Sequence, residues 1–374
     1  MSSPVSSHVS LSQLAPDYIR AISPYVPGKP ISELAREMGL NEADILKLAS
    51  NENPLGMSPK ARAAVAKVID DIALYPDGNG FALKQALSRR LGPAMNSFVL
   101  GNGSNDVLEL VARAFLAPGF SGVFSQYAFA VYPLAIQSIG ARCIEVPARN
   151  YGHDLAAMAD AITSDTRIVF LANPNNPTGT FHAGDAIESF LDVVSDDVIV
   201  VLDEAYNEYL APEQRYDAIA WLQRFPNLVI SRTFSKIYGL AGLRIGYAAA
   251  HPDVADMMNR VRAPFNANSL ALAAAEAALG DDEFLQRSYE VNRAGMAQIV
   301  KGLDALGLQH IPSAGNFVAF KVGDGAGVNH RLLKQGVIVR PIAGYGMPEW
   351  LRVTIATEPE NARFLSALAV ALKA

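Results

Sequence analysis

The stretch Asn227–Tyr247, NLVISRTFSKIYGLAGLRIGY, decides how the rest of the chain is read. It opens on an apolar, β-branched run, 228–232, with the length of a buried strand. The run passes into the hydroxyls Thr233 and Ser235 and then into Lys236, a lysine set among glycines and apolar residues. Arg232 and Arg244 frame it; Arg232 reads as a strand-end charge. A loop punctuated by glycines leads into a second apolar run, 244–250. Open α/β sheets gather their ligand-binding groups just beyond the carboxyl ends of strands, which is where Lys236 falls.

Working outward, strand-like runs recur at 98–100, 122–125, 142–146, 167–172 and 198–203. Segments with helical spacing, such as 105–115 and 184–194, separate them. This alternation predicts an α/β fold with a mostly parallel central sheet flanked by helices. Polar motifs follow five of the runs: GNGSND, QYAFAVY, NPNNPTG, DEAYNEY and TFSK. Motifs placed this way converge on one site. Beyond about residue 265 the texture changes to long helical patterns and then short strands at 316–322, 337–341 and 351–356, which predicts a smaller α+β domain. The segment from ISELAREMGL to LKLASNENPLG is expected to pack against that domain or to cross to another subunit.

Composition narrows the function classes. A chain of 374 residues suits two domains, and with 50% hydrophobic and 18% charged residues it suits a well-buried globule. The net charge is −6 with no basic block, which argues against a nucleic-acid partner. No apolar run is long and unbroken enough to span a bilayer. The Ser- and Pro-rich start has no basic or apolar signal region, so its first ~15 residues read as a loosely ordered arm. The single cysteine, Cys143, sits in an expected buried strand, and its isolation fits a cytoplasmic protein. The 6 histidines are scattered without metal-ligand spacing, and neither a G-x-S-x-G elbow nor a P-loop occurs.

The strand-end residues suggest a chemistry. Asp203 ends an apolar run, where it is either a turn or cap carboxylate or a buried anion that needs a cationic partner. Tyr206 follows three residues later, as core packing or as a phenol facing the same crevice. In 173–179 two prolines lock a turn that either only turns or aims the Asn176 amide. GNGSND lacks the third glycine of a dinucleotide fingerprint and carries Asp106 instead, so that reading is rejected. Ser104 and Asn105 still open a helix, and with Thr233, Ser235 and Arg244 they make a cup for one phosphate. A lysine beside such cations loses its proton more easily, and a neutral amine attacks carbonyls. Phosphate cup, amine, buried carboxylate, amide and phenol together match pyridoxal 5′-phosphate (PLP).

Carried by LASNENPLG, YPDGNG, NPNNPTG, DEAY, RTFSKIYGLAGLRIGY and VRPIAGYGMPEWLRVTIAT, the whole chain resembles the class I/II, fold-type I PLP-dependent aminotransferases, and within them the histidinol-phosphate group. The resemblance implies an N-terminal arm with part of the small domain over 1–50, a large PLP-binding domain over 51–265 and a small C-terminal domain over 266–374. It implies that Lys236 attaches PLP and later moves the substrate proton. Asp203 would pair with the ring nitrogen, and Tyr206 and Asn176 with the ring oxygen. Ser104, Asn105, Thr233, Ser235 and Arg244 would hold the phosphate, with Tyr75 reaching it from a neighbouring subunit of a homodimer. Tyr25, Asn53, Arg340 and Arg352 would line the substrate end. The implied reaction moves an amino group from histidinol phosphate to 2-oxoglutarate. Three positions depart from the pattern. Phe129 stands where an aromatic ring stacks on PLP. Phe265 replaces a tyrosine that reaches substrate phosphate across the dimer. In IATEP, Ala356 replaces a glycine and Glu358 an arginine, which would matter if Glu358 faced inward. Phe265 and Glu358 keep an aromatic amino acid open as the alternative donor. A PLP-dependent decarboxylase and a non-catalytic binding module are the other readings.

Overall fold

The structure, a computed structural model, describes residues 10–25 and 27–373. Most of the stretch read as a loose arm lies outside them, and Leu11–Leu14 form an exposed 3-10 turn. In chain order the strands are β1 (Leu46–Lys47), β2 (Phe98–Gly101), β3 (Ser121–Ser125), β4 (Arg142–Val146), β5 (Thr166–Ala172) and β6 (Ile199–Asp203). They continue with β7 (Leu228–Thr233), β8 (Gly246–Ala250), β9 (Phe317–Lys321), β10 (Val337–Ile338), β11 (Arg340–Pro341) and β12 (Trp350–Thr354).

Seven strands form the central sheet in the order β2-β8-β7-β6-β5-β3-β4. Only β8 runs against the others, antiparallel to both β2 and β7. The carboxyl ends of the remaining six therefore share one edge. The inner strands read as unbroken apolar runs because helices cover both faces, and two apolar cores follow from this. The expected strand at 244–250 begins only at Gly246, because Arg244 adopts a left-handed conformation (φ 58°) that turns the chain into the sheet. Strand β4 is not the buried strand expected around Cys143. It is the sheet edge, with Arg142 and Glu145 exposed and Cys143 half-buried. Arg232 is not a plain strand-end charge either. It lies within β7, 9% exposed, and its Nε and Nη2 donate at 2.9 and 2.8 Å to Oε2 of the fully buried Glu204.

A second sheet, β11-β12-β9, is antiparallel and packs on helices Asp282–Ala305, Gly325–Lys334 and Glu358–Lys373. The run expected as one strand over 337–341 is split, since β10 pairs with β1 while β11 pairs with β12. The β1–β10 ladder is parallel, and Leu34, Ala35, Ile45 and Ala49 pack with Leu333 and Ile338, so the N-terminal segment joins the small sheet's side of the molecule. Helix Ser269–Leu279 lies beyond the expected boundary at 265. Its Ala271, Ala274, Ala275 and Ala278 nonetheless pack into the core of the seven-stranded sheet, against helices Pro59–Val68 and Phe81–Leu91. Small side chains along one face let these helices approach closely. Among the described residues no helix is long and apolar enough to cross a membrane.

Candidate active site

A cavity of about 270 Å³ opens at the carboxyl edge of the central sheet. Each strand-end motif contributes to its wall: Ser104 and Asn105 after β2, Phe129 after β3, Asn176 after β5, Asp203 and Tyr206 at and beyond β6, and Thr233, Ser235 and Lys236 at and beyond β7. Arg244 enters from the turn before β8, and Tyr25, Arg340 and Arg352 border the same space. Residues scattered through the sequence meet here because parallel strands bring their carboxyl ends together.

The Lys236 Nζ donates to the carbonyl of Ser50 at 3.1 Å. Burial, and then the Arg352 and Arg244 guanidinium groups, pull its pKa down to about 8, against the opposing pull of Glu52 and Asp203. The neutral amine that nucleophilic attack requires is therefore far more populated near neutral pH than in a free lysine, although the charged form still prevails at pH 7. Asp203 ends β6 and is 5% exposed. Its Oδ2 accepts from the Tyr132 hydroxyl at 2.9 Å, while Oδ1 is buried without a partner. Burial raises its pKa to about 6, and the Tyr132 bond and the Ala205 backbone N–H hold it from rising further. A buried carboxylate with one oxygen unsatisfied calls for a donor from outside the chain.

The phosphate end depends on two glycines. Gly103, at φ 85°, caps helix Ser104–Phe115, and a Cβ there would lie 2.3 Å from Nη2 of Arg244. A Cβ on Gly246 would lie 2.6 Å from the Ser104 nitrogen. Only without those side chains can the guanidinium and the helix N-terminus lie together. Arg244 Nη1 donates to Ser235 Oγ at 3.3 Å and to the Ala241 carbonyl at 3.1 Å. The Ser235 N–H donates to Thr233 Oγ1 at 3.1 Å. Asp106, which argued against a dinucleotide, turns aside to accept from Asn102 N and Asn266 Nδ2 at 2.8 and 2.7 Å.

At the other end, Arg352 is 5% exposed. Its Nη1 donates to Asn176 Oδ1, its Nη2 to the Ala49 carbonyl at 2.8 Å, and its Nε is buried without a partner. No carboxylate pairs with it among the described residues. Arg340 Nη2 donates to the Tyr25 hydroxyl at 3.1 Å, and its guanidinium lies 5.4 Å from the Tyr25 ring centre. The donor set fits PLP: helix N–H groups, hydroxyls and an arginine for a phosphate, an amine for a carbonyl, and a half-satisfied buried carboxylate for a protonated ring nitrogen.

Some expected positions fall elsewhere. Asn53 does not line the cavity. Its amide donates to the Ile237 carbonyl at 2.7 Å and to Ser288 Oγ at 2.9 Å, so it ties the wall together from behind. Asn51 takes the cavity position instead, donating to the Tyr206 hydroxyl at 2.9 Å. Tyr75 does not reach its own chain's cavity; it is 83% exposed and stacks on Phe265 with ring centres 4.8 Å apart. Glu358 does not face inward. It is exposed in the first turn of helix Glu358–Lys373, where negative charge suits the helix N-terminus. Among the groups missed in the sequence are Tyr132, Asn51, Glu52 and Tyr345. Tyr132 had a signal: it lies three residues beyond Phe129, and its ring packs edge-on to Phe129 and stacks on Phe170.

Residues 43–368 match the family Aminotransferase class I and II. The chain is 65% identical over 364 residues to histidinol-phosphate aminotransferase 1 of Dechloromonas aromatica, covering 97% of this chain and 100% of that one. It is 62% identical over 366 residues to histidinol-phosphate aminotransferase 2 of Nitrosospira multiformis, covering 98% and 93%. Among solved structures it resembles histidinol-phosphate aminotransferase from Sinorhizobium meliloti in complex with pyridoxal-5′-phosphate, at TM-score 0.87 and 27% identity over 96% of this chain and 97% of that one. Aspartate aminotransferase from Thermus thermophilus shares the fold, at TM-score 0.81 and 22% identity over 96% and 99%. The lysine, carboxylate and arginines gathered at one sheet edge thus have their explanation in descent: the chain belongs to the class I and II aminotransferases.

Proposed function

We propose that the chain transfers the amino group of L-histidinol phosphate to 2-oxoglutarate, giving imidazole-acetol phosphate and L-glutamate, with PLP as cofactor. The observation that carries this reading is the identity of 62–65% to histidinol-phosphate aminotransferases over nearly the whole length of both chains. The cavity supports it, since Arg340 and Arg352 provide positive charge for the phosphate of one substrate and the carboxylates of the other.

Bound PLP supplies the electron sink that lets a proton leave the substrate Cα. Lys236 would hold the cofactor through its amine and would take the substrate Cα proton and return it. Asp203, oriented by Tyr132 through Oδ2, would pair with the ring nitrogen. Tyr206 and Asn176 would bond the ring oxygen, and Phe129 would stack on the ring. Ser104, Asn105, Thr233, Ser235 and Arg244 would hold the phosphate. Tyr25, Arg340 and Arg352 receive the anionic groups of the substrates in two successive half-reactions, the first product leaving before the second substrate enters.

The proposed unit is a cytoplasmic homodimer in which Tyr75 serves the partner's phosphate site. Ile69, Ile72, Leu74, Tyr75, Phe81 and Phe265 are large apolar side chains left 47–83% exposed on one chain, a patch suited to a second copy. The large domain is proposed to include helix Ser269–Leu279, with the small domain beginning in helix Asp282–Ala305. Turnover with histidinol phosphate, phenylalanine and tyrosine as donors to 2-oxoglutarate tests the function. Histidinol phosphate should show the highest kcat/KM; a preference for phenylalanine would replace the reading with an aromatic aminotransferase.

A further inference from the structure

Glu52 is unexplained by the chemistry above. Two acidic side chains line the cavity, Asp203 and Glu52. Asp203 is buried and bonded to Tyr132, whereas the Glu52 side chain stays 44% exposed at the lip, its Oε1 2.8 Å from Lys47 Nζ. The strip leading to it builds the reactive wall. Ala49 O accepts from Arg352, Ser50 O accepts from Lys236, and Asn51 donates to Tyr206. Glu52 is the next residue, and its charge is felt at the Lys236 amine, which it helps keep protonated.

A carboxylate at this point opposes the rest of the cavity, whose other charged groups include Lys236, Arg244, Arg340 and Arg352. It repels both carboxylates of 2-oxoglutarate and the phosphate of a phosphorylated donor. What it can favour is a donor group on the part of the substrate that carries no negative charge. An imidazole ring always presents at least one N–H, and two when protonated. A phenyl ring presents none.

We propose that Glu52 is a specificity-determining residue that accepts the ring N–H of an imidazolyl amino donor, selecting it over a phenyl one. The proposal rests on the function given above and names the group that reads the substrate's ring. Lys47 balances the carboxylate when no donor is bound. A hydrogen bond to a charged acceptor is worth a factor of about 10–100 in binding, and a phenyl ring forfeits it.

The test compares the wild-type holoenzyme with Glu52→Met, Glu52→Gln and Lys47→Gln. KM and kcat are measured for histidinol phosphate, phenylalanine and 2-oxoglutarate, with the apparent Kd of histidinol phosphate taken from the concentration dependence of its half-reaction in the absence of an acceptor. Glu52→Met should raise the KM and weaken the binding of histidinol phosphate about 10- to 100-fold with kcat within about 3-fold. The KM for phenylalanine and 2-oxoglutarate should stay level or fall. Glu52→Gln keeps a neutral acceptor and should fall between, while Lys47→Gln should keep the wild-type preference. Equal changes for both donors, or the same loss in Lys47→Gln as in Glu52→Met, would assign Glu52 a merely electrostatic or structural role and overturn the proposal. A wild-type enzyme that turns over phenylalanine but no imidazolyl donor overturns the functional reading itself, and the proposal with it.

Discussion

Replacing Lys236 with methionine should stabilise the cofactor-free protein at neutral pH while abolishing transamination. The amine's pKa is held near 8 instead of the ordinary 10.5, chiefly because burial disfavours its charged form. At pH 7 the folded chain nonetheless carries that charge, at a cost of about 3 kcal/mol relative to the unfolded chain. Partial solvent access at the cavity reduces the figure. Losing the bond to the Ser50 carbonyl offsets about a further 1 kcal/mol. Methionine has similar length and no charge, so the net expectation is a gain of about 1–2 kcal/mol.

The gain must depend on pH in one direction. Between about 8 and 10.5 the unfolded lysine holds a proton that the folded one has released, so wild-type stability rises with pH across that window. Below it the cost of the charge is fully present; above it both states are neutral and only the lost hydrogen bond remains. The advantage of Lys236→Met should therefore shrink through this window and change sign at its upper end. Urea unfolding of both cofactor-free proteins at pH 7, 9 and 10.5 measures this, since groups common to both cancel in the difference. A difference that stays constant with pH would refute the account of a lysine strained by burial.

Three further outcomes are expected. Glu204→Gln should destabilise the protein by about 3–5 kcal/mol in urea melts, because it leaves the Arg232 guanidinium buried without its anion; the double variant with Arg232→Met should recover most of the loss. Gly103→Ala should weaken PLP retention at least ~10-fold in equilibrium dialysis, since its positive φ disfavours a side chain and a Cβ there would push the Arg244 guanidinium out of the phosphate cup. Gly242→Ala, with nothing within 4 Å, should not. Mixing inactive Lys236→Ala subunits with Tyr75→Ala subunits should restore activity towards a quarter of wild type, as half of the chains pair unlike and each such pair rebuilds one site of two; no recovery would remove Tyr75 from the partner's site.

The central fold was legible because parallel strands covered on both faces leave unbroken apolar runs, and because the polar motifs mark where those runs end. Legibility failed where a residue's neighbour is distant in sequence. In RCIEV the cysteine and isoleucine look buried, but among the described residues no strand pairs with β4 on its outer side. SNENPLG offers two asparagines two residues apart, and contacts alone choose between them: Asn51 meets Tyr206 and Thr354, Asn53 meets Ile237 and Ser288. Glu358 drew attention for its position in a motif, yet as the opening residue of a helix its charge has a local use.

Two arginines separate what folding needs from what a ligand needs. Arg232 and Arg352 are both buried, though the sequence reads the first as a strand-end charge and the second, by resemblance, as part of the substrate end. Arg232 finds Glu204 just past the end of the neighbouring strand β6, and its charge is satisfied beside the sheet. Among the described residues Arg352 finds only neutral acceptors, Asn176 and the Ala49 carbonyl, and keeps Nε unpartnered beside the cavity. Burying a cation without an anion costs free energy that these hydrogen bonds and the Phe317 ring, 5.1 Å from the guanidinium, return only in part. An anionic substrate returns it, as a protonated ring nitrogen would for the open oxygen of Asp203. The open Nε of Arg352 and Oδ1 of Asp203 therefore read as one half of the binding interaction, with its other half on the ligand. An Arg352→Met variant should accordingly fold at least as stably as the wild type and lose affinity for 2-oxoglutarate by a factor of about 100 or more, measured as KM against urea midpoint. Loss of stability in step with affinity would make Arg352 a structural cation after all.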